Sequence, residues 1–205
     1  FWTPVSYRWY EAGKDNKSFE KVSTIISLLM TVLCLVLLLL KQVMVIILGH
    51  NYEGAIYIFP FLLLYPIMYT MSESTAMGIG FTRSTAYNIL ISALSGGMNI
   101  IMNYYFIPIF EGKGAAMATG FSYIVFFWAR TLISRKLWYK FDINKYIVYT
   151  IVILLNCAAH TFCGGLIPYL ISTISIVIIL VVNYNTLKEI IYLLMKNKGS
   201  SKNRR

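Results

Sequence analysis

The stretch NYYFIPIFEGKGAAMAT, residues 103–119, interrupts an apolar run with a proline and a short polar segment. Pro108 closes one apolar segment, residues 111–113 are polar, and Gly114 opens the next segment. Proline disrupts a helix and glycine permits unusual backbone angles, so the pattern predicts a tight hairpin between two neighbouring helices. The polar interruption is therefore predicted to be a turn.

Apolar residues dominate the chain. Of its 205 residues, 58% are hydrophobic and 13% are charged, about half the charged fraction of a soluble domain. A helix that spans a bilayer needs roughly 17 to 25 apolar residues. We therefore predict an all-α, polytopic helical membrane protein whose transmembrane bundle covers residues 1–185. Six spans are expected near residues 22–48, 54–71, 86–110, 114–133, 146–162 and 166–182.

The first residues indicate a further helix. The opening FWTPVSYRWYEAGK is interpreted as the last turns of a seventh helix. The sequence is accordingly expected to be the C-terminal part of a longer protein, in which a preceding bundle would be the partner of this one.

Basic residues lie mainly on one side of the predicted membrane. The net charge is +10, and 16 of the 18 lysines and arginines fall in alternate loops or in the tail at residues 186–205. This asymmetry follows the positive-inside rule and predicts a cytoplasmic C-terminus. The charge is explained by topology and contact with lipid headgroups, and nucleic acid is not expected as a partner.

One segment carries potential metal ligands. In CAAHTFC, Cys157, His160 and Cys163 recur at three-residue steps on roughly one helical face. A fourth ligand is not evident. We favour packing residues and a hydrogen-bonded histidine over a metal site, and no cofactor is expected.

Small residues follow the predicted turn. Gly114, Ala118 and Ser122 recur at four-residue spacing, and residues 92–97 of the preceding span include serines, an alanine and two glycines. Such stripes allow membrane helices to approach closely. Together with Pro108 they are interpreted as a structural motif, in preference to a direct contact with substrate.

Three stretches resemble motifs of a known family. LGHNYEGA presents Gly49, Tyr52 and Ala55 as G-x2-Y-x2-A, TPVSYRWYEAGK resembles a helix end, and residues 103–119 follow the pattern N-x3-I-P-x5-G-A-A-x-A-T. The last pattern comprises Asn103, Ile107, Pro108, Gly114, Ala115, Ala116, Ala118 and Thr119. Together they resemble the bacterial polysaccharide-biosynthesis flippases of the multidrug/oligosaccharidyl-lipid/polysaccharide exporter superfamily. Glu111 departs from the family, many of whose members have glycine there.

The resemblance implies a fold and an activity. It implies two helical bundles around a V-shaped cavity that opens alternately to each side of the bacterial cytoplasmic membrane. The substrate would be a lipid-linked oligosaccharide for O-antigen, lipopolysaccharide or capsule, with its pyrophosphate in the cavity and its tail in the bilayer. Such a transporter is not an enzyme. It would draw on an ion gradient or on the membrane potential.

Three charged residues are candidates for substrate binding. Lys41 interrupts an apolar span and either faces a cavity, where it suits a pyrophosphate, or extends to the membrane interface. Glu73 follows a span with two prolines and would bind a coupling cation, pair with a basic residue, or lie in water at the cytoplasmic end. Arg8 would contact phosphate at the cavity mouth or anchor a helix end.

Two other functions remain open. A drug or cation antiporter of the same superfamily would have acidic rather than basic residues in its cavity. A membrane-embedded glycan polymerase would show a large external loop, whereas the predicted external loops are short. No phosphate-binding glycine-rich loop is present in the sequence, so ATP hydrolysis is not expected.

Overall fold

The computed structural model describes residues 2–49, 54–184 and 186–188. Within these residues the chain is all-helical, with 87% helix and no strand. Tyr52 and most of the basic tail at residues 186–205 lie outside the described residues. The helices are α1 (Trp2–Glu11), α2 (Asn16–Leu39), α3 (Lys41–Leu48), α4 (Ala55–Thr75), α5 (Met77–Phe81), α6 (Ala86–Leu137), α7 (Asn144–Phe162) and α8 (Ile167–Val182).

Four helices, α2, α4, α6 and α7, are long and apolar enough to cross a membrane. The apolar helix α8 is shorter, at 16 residues. This architecture is compatible with the predicted helical membrane protein, and its most extensive packing is between α4 and α6.

Hydroxyl groups lie between the helices and apolar side chains face outward. Thr75 Oγ1 lies 2.7 Å from Thr131 Oγ1, which links α4 to α6. Ile89 and Ile100 on the outside of α6 are 76% and 72% exposed. Membrane helices pack in this way, because lipid supplies no hydrophobic force between them and small or hydrogen-bonding residues hold them together.

The chain reverses inside α6. Glu111 has φ 50° and ψ −126°, which are not helical angles, and it separates a first arm, residues 86–110, from a second arm, residues 112–137. After the reversal Gly114 lies directly against the backbone of Phe106. Farther along, Ser95 Oγ donates to the carbonyl oxygen of Ser122 at 2.7 Å, so the arms run side by side.

Several helix boundaries differ from the predicted spans, and two of the differences have a clear physical reason. The apolar segment 22–48 is divided at Leu40, whose φ of −89° and ψ of 7° end α2 before α3 begins. Hydropathy does not predict this break, because the helices before and after Leu40 are equally apolar. The second arm of α6 continues past the predicted end at residue 133 to Leu137, because basic residues continue the helix after its apolar part ends.

Replacing Gly114 with alanine tests the close approach of the two arms. A Cβ at this position would overlap the carbonyl group of Phe106. We expect Gly114→Ala to lower the free energy of unfolding by about 2 kcal/mol. Unfolding in mixed micelles, followed by circular dichroism, measures the change. The control is Gly97→Ala, where a Cβ meets nothing within 4 Å; equal destabilisation by both variants would contradict the close packing.

Replacing Glu111 with glycine tests the strain in the turn. A side chain is unfavourable at φ 50° and ψ −126°, whereas glycine adopts these angles freely. Glu111→Gly should therefore raise the free energy of unfolding by about 1 kcal/mol in the same assay. Glu111→Ala removes the carboxylate and keeps the Cβ, so stabilisation by alanine to the same extent would show that charge, and not backbone strain, is responsible.

Candidate functional site

A groove with a volume of about 350 Å³ lies between the two arms of α6. Hydroxyl, amide and aromatic side chains line it, although the outer surfaces of the same helices are apolar. Its lining residues are Ser92, Ser95, Gly96, Asn99, Thr119, Ser122, Tyr123 and Phe126. Polar groups within apolar helices are costly in a membrane and usually serve binding, so this groove is the candidate site.

Hydrogen bonds connect the two walls of the groove. Besides the bond from Ser95 to the Ser122 carbonyl, Asn99 Nδ2 lies 3.4 Å from Ser122 Oγ. Asn99 Oδ1 accepts from Asn103 Nδ2 at 3.0 Å. A side-chain amide carries two donors and a hydroxyl oxygen has two lone pairs, so these groups retain capacity to bind the hydroxyls of a ligand.

Tyrosines form the edge of the groove that faces α4. The ring centroids of Tyr65 and Tyr123 are 4.4 Å apart, and Tyr69 stacks on Phe126 at 6.0 Å with 14° between the ring planes. Tyr65 and Tyr69 are exposed although they lie in the middle of α4. Their rings lie against Tyr123 and Phe126, the two aromatic side chains that line the groove.

Arg130 lies one turn beyond Phe126 on the second arm. Its guanidinium carbon is 5.3 Å from the Phe126 ring centroid; Nη1 forms an ion pair with Glu73 of α4 and donates to Ser72 Oγ at 2.9 Å. Its side chain is 14% exposed and that of Glu73 is 37% exposed. This half-exposed pair places a cation suited to phosphate next to the aromatic edge.

The three charged residues singled out by the sequence lie in separate places. Glu73 is paired with Arg130 beside the groove, Arg8 is exposed in the last turn of α1, and Lys41 is buried at the start of α3. Neither Arg8 nor Lys41 lines the groove. Their roles in substrate binding stay predictions.

Lys41 contacts the end of α7. It is 3% exposed, and its Nζ donates to the carbonyl oxygen of His160 at 2.8 Å. His160 is in the last turn of α7, where carbonyl groups lack helical partners and the helix dipole is negative. The same nitrogen lies 5.5 Å from the ring centroid of Tyr57 and 5.8 Å from that of Tyr169. Lys41 therefore caps α7.

His160 extends this contact into a buried network between α7 and α8. Ser172 Oγ donates its proton to Asn156 Oδ1 at 2.8 Å, so it accepts from His160 Nε2, also at 2.8 Å. Asn156 Nδ2 donates to Ser175 Oγ at 2.9 Å. His160 is thus protonated on Nε2, and the network fixes α8 against α7.

The segment CAAHTFC does not bring its three potential ligands together. The Cys157 thiol lies against that of Cys34, and both are buried, whereas Cys163 is exposed after the end of α7. The His160 ring is hydrogen-bonded to Ser172. Among the residues that the structure describes, no three potential metal ligands converge.

No motif in the sequence singles out Tyr65, Tyr69, Tyr123 or Arg130. A signal is nevertheless present, since residues 65 and 69 share a face of α4, and residues 119, 123, 126 and 130 share a face of α6. Tyrosines usually lie at the ends of membrane helices, so two exposed ones in mid-helix are informative. The predicted topology instead assigned Arg130 to a cytoplasmic loop.

No protein-family model, curated protein or solved structure matches this chain. The resemblance of its motifs to flippases therefore remains a hypothesis. Its function has to be inferred from the residues and their geometry.

Reversing the charge at Lys41 tests its contact with α7. A carboxylate there would face the negative end of the helix without a partner, so Lys41→Glu should lower the free energy of unfolding by about 3 kcal/mol or more. Lys41→Met should change it by no more than about 1 kcal/mol, because the lost hydrogen bond is offset by no longer burying a cation. The control is Gln42→Glu at the exposed neighbouring position; a similar loss in this variant would contradict the capping role.

Proposed function

We propose that this chain is the second helical bundle of a flippase that moves a polyprenyl-pyrophosphate-linked oligosaccharide outward across the bacterial cytoplasmic membrane. The transported molecule would be a repeat unit of a cell-surface polysaccharide such as O-antigen or capsule. One observation carries the proposal: hydroxyl, amide and aromatic groups line a groove that includes Phe126, and the Arg130 guanidinium lies next to the Phe126 ring.

The groups along the groove correspond to the parts of such a substrate. Serine hydroxyls and the Asn99 amide would bind sugar hydroxyls, and Tyr65 and Tyr123 would pack against the apolar faces of sugar rings. The Arg130 guanidinium would bind the pyrophosphate in a bidentate manner. The lipid tail would remain in the bilayer.

Glu73 would regulate how tightly the substrate is held. In the absence of substrate it neutralises Arg130, which avoids leaving a guanidinium unpaired among the helices. A pyrophosphate would displace the Glu73 carboxylate from Arg130 when it binds. The ion pair would form again when the pyrophosphate leaves. The exchange would keep binding weak enough for transport, with no covalent bond made or broken, and an ion gradient or the membrane potential would supply the driving force.

The partial exposure of Glu73 favours one second candidate, a cation antiporter. In that function the carboxylate itself would bind the transported or coupling cation. The two functions differ in what Glu73→Gln does. It should abolish antiport, whereas in a flippase it should preserve substrate binding at Arg130 and slow glycan export only through slower release.

Removing the aromatic edge tests the proposed flippase in cells that depend on this protein for surface polysaccharide. Tyr65→Ala combined with Tyr123→Ala should lower the surface glycan about tenfold, because two aromatic contacts are lost. Lipid-linked repeat units should accumulate at the inner leaflet. Surface glycan is measured by gel electrophoresis and staining, and the amount of protein in the membrane by immunoblot.

The matched control replaces two tyrosines outside the groove, Tyr104 and Tyr105, with alanine; both are strongly exposed on the first arm of α6. This variant should retain normal glycan. Normal surface glycan in the Tyr65/Tyr123 variant at normal membrane abundance would refute the groove as the substrate site.

A further inference from the structure

A second polar pocket lies at the basic end of the bundle, where α2 and α7 begin and α8 has ended. Its volume is about 380 Å³. It is lined by three lysines, two threonines and one glutamate: Lys17, Lys21, Lys145, Thr24, Thr186 and Glu20. We propose that this pocket binds the phosphate group of an anionic phospholipid in the leaflet that the basic end faces.

Three acidic residues of the described chain lie near the pocket, and each accepts a backbone N–H. Glu20 accepts from the backbone N–H of Asp142 at 3.2 Å and from the Tyr139 hydroxyl at 3.4 Å. Desolvation and the Glu20 carboxylate raise the pKa of Tyr139, so its phenol stays protonated as a donor. Asp15 and Asp142 each accept a backbone N–H at the start of α2 and α7.

The described lining of the pocket carries more basic than acidic residues. Even without Lys21, Lys17 and Lys145 outnumber Glu20, and the positive ends of two helix dipoles, those of α2 and α7, are directed to the same end of the bundle. Basic pockets between membrane helices on the cytoplasmic side are typical sites for phosphate-bearing headgroups. The two threonines add hydroxyl donors for phosphate oxygens.

An apolar slot adjoins the lysine pocket and favours a lipid over a soluble phosphate. The slot has a volume of about 140 Å³ and lies between α7 and α8. Val148 and Val182 line it, and Lys145 lines both cavities. The polar atoms of Tyr149 and Asn183 in its wall bind each other at 2.7 Å. A phosphate in the pocket would thus have an apolar surface beside it for the start of an acyl chain.

The proposal requires a chain embedded in a membrane, with its basic end at headgroup depth. It does not depend on transport, so failure of the flippase function would leave it intact, and the reverse also holds.

Lipid binding by the purified full chain tests the proposal. The chain is placed in nanodiscs of phosphatidylcholine with increasing phosphatidylglycerol, and retained phosphatidylglycerol is counted by native mass spectrometry. Combining Lys17→Gln, Lys21→Gln and Lys145→Gln should weaken the binding of phosphatidylglycerol on the order of 100-fold, at about 1 kcal/mol per lysine. The control variant carries Lys14→Gln, Lys136→Gln and Lys140→Gln, which remove the same charge at the same end. Its affinity for phosphatidylglycerol should fall by less than about fivefold.

Two single variants should change the affinity for phosphatidylglycerol in opposite directions. Glu20→Gln keeps an acceptor for Asp142 and removes a negative charge, so phosphatidylglycerol should bind about fivefold more tightly. Val148→Trp should fill the apolar slot and weaken the binding of phosphatidylglycerol, whereas Ile147→Trp on the neighbouring face should not. Circular dichroism verifies that each variant keeps its helix content.

Three results would overturn the proposal. The first is an equal loss of phosphatidylglycerol in the pocket and control triple variants, which would indicate general surface charge. The second is unchanged or weaker binding in Glu20→Gln. The third is displacement of the lipid by millimolar inorganic phosphate together with no effect of Val148→Trp, which would identify a soluble anion as the ligand. Lipid loss confined to the pocket variant, with the two single effects in the expected directions, would establish the site.

Discussion

Serine and threonine hydroxyls between helices are the contacts on which this structure depends. In a lipid environment the apolar side chains gain little from facing one another, so the helices approach where side chains are small and hydrogen bonds can form. The pair Thr75–Thr131 and the bond from Ser95 to Ser122 provide such contacts. The same small residues leave room beside the bonds, and the candidate groove occupies that room. In the proposed function, packing and binding would therefore depend on one set of residues.

Lys41 and Arg130, two cations within the described helices, have partners of different kinds. Lys41 is buried against a backbone carbonyl at the end of α7, and that contact cannot be exchanged without exposing a helix end. Arg130 is paired with the side chain of Glu73, which is partly exposed. An anionic ligand competes with a partly exposed carboxylate more readily than with a buried helix terminus. Of the two, Arg130 is thus better placed to bind a phosphate.

Local sequence signals predicted much of the fold and little of the site. The helices follow from apolar composition, and the interruption at residues 103–119 was expected because proline and glycine act on the backbone nearby. The break at Leu40 carries no compositional signal. The association of Tyr65 with Tyr123 depends on how α4 crosses α6, and neither residue has a neighbour in sequence that reveals it. The count of basic residues grouped Arg130 with a cytoplasmic loop, although it falls within the predicted span 114–133, because a basic residue near the end of a span was interpreted as a signal of topology.

The groove and the lysine pocket differ in how selectively each would bind a ligand. The groove combines a cation with tyrosines and hydrogen-bonding groups, so in the proposed function its ligand is selected mainly by sugar contacts, and the phosphate fixes its orientation. The lysine pocket combines flexible ammonium groups with an apolar slot, which suits any anionic lipid of the right depth, because lysine binds phosphate as a point charge without bidentate geometry. If both proposals hold, the arginine beside the groove and the lysines at the basic end would divide substrate selection and lipid attachment between the two sites. Abundant membrane lipids would then compete poorly at Arg130, since they lack the sugar groups that the proposed substrate would present to the groove.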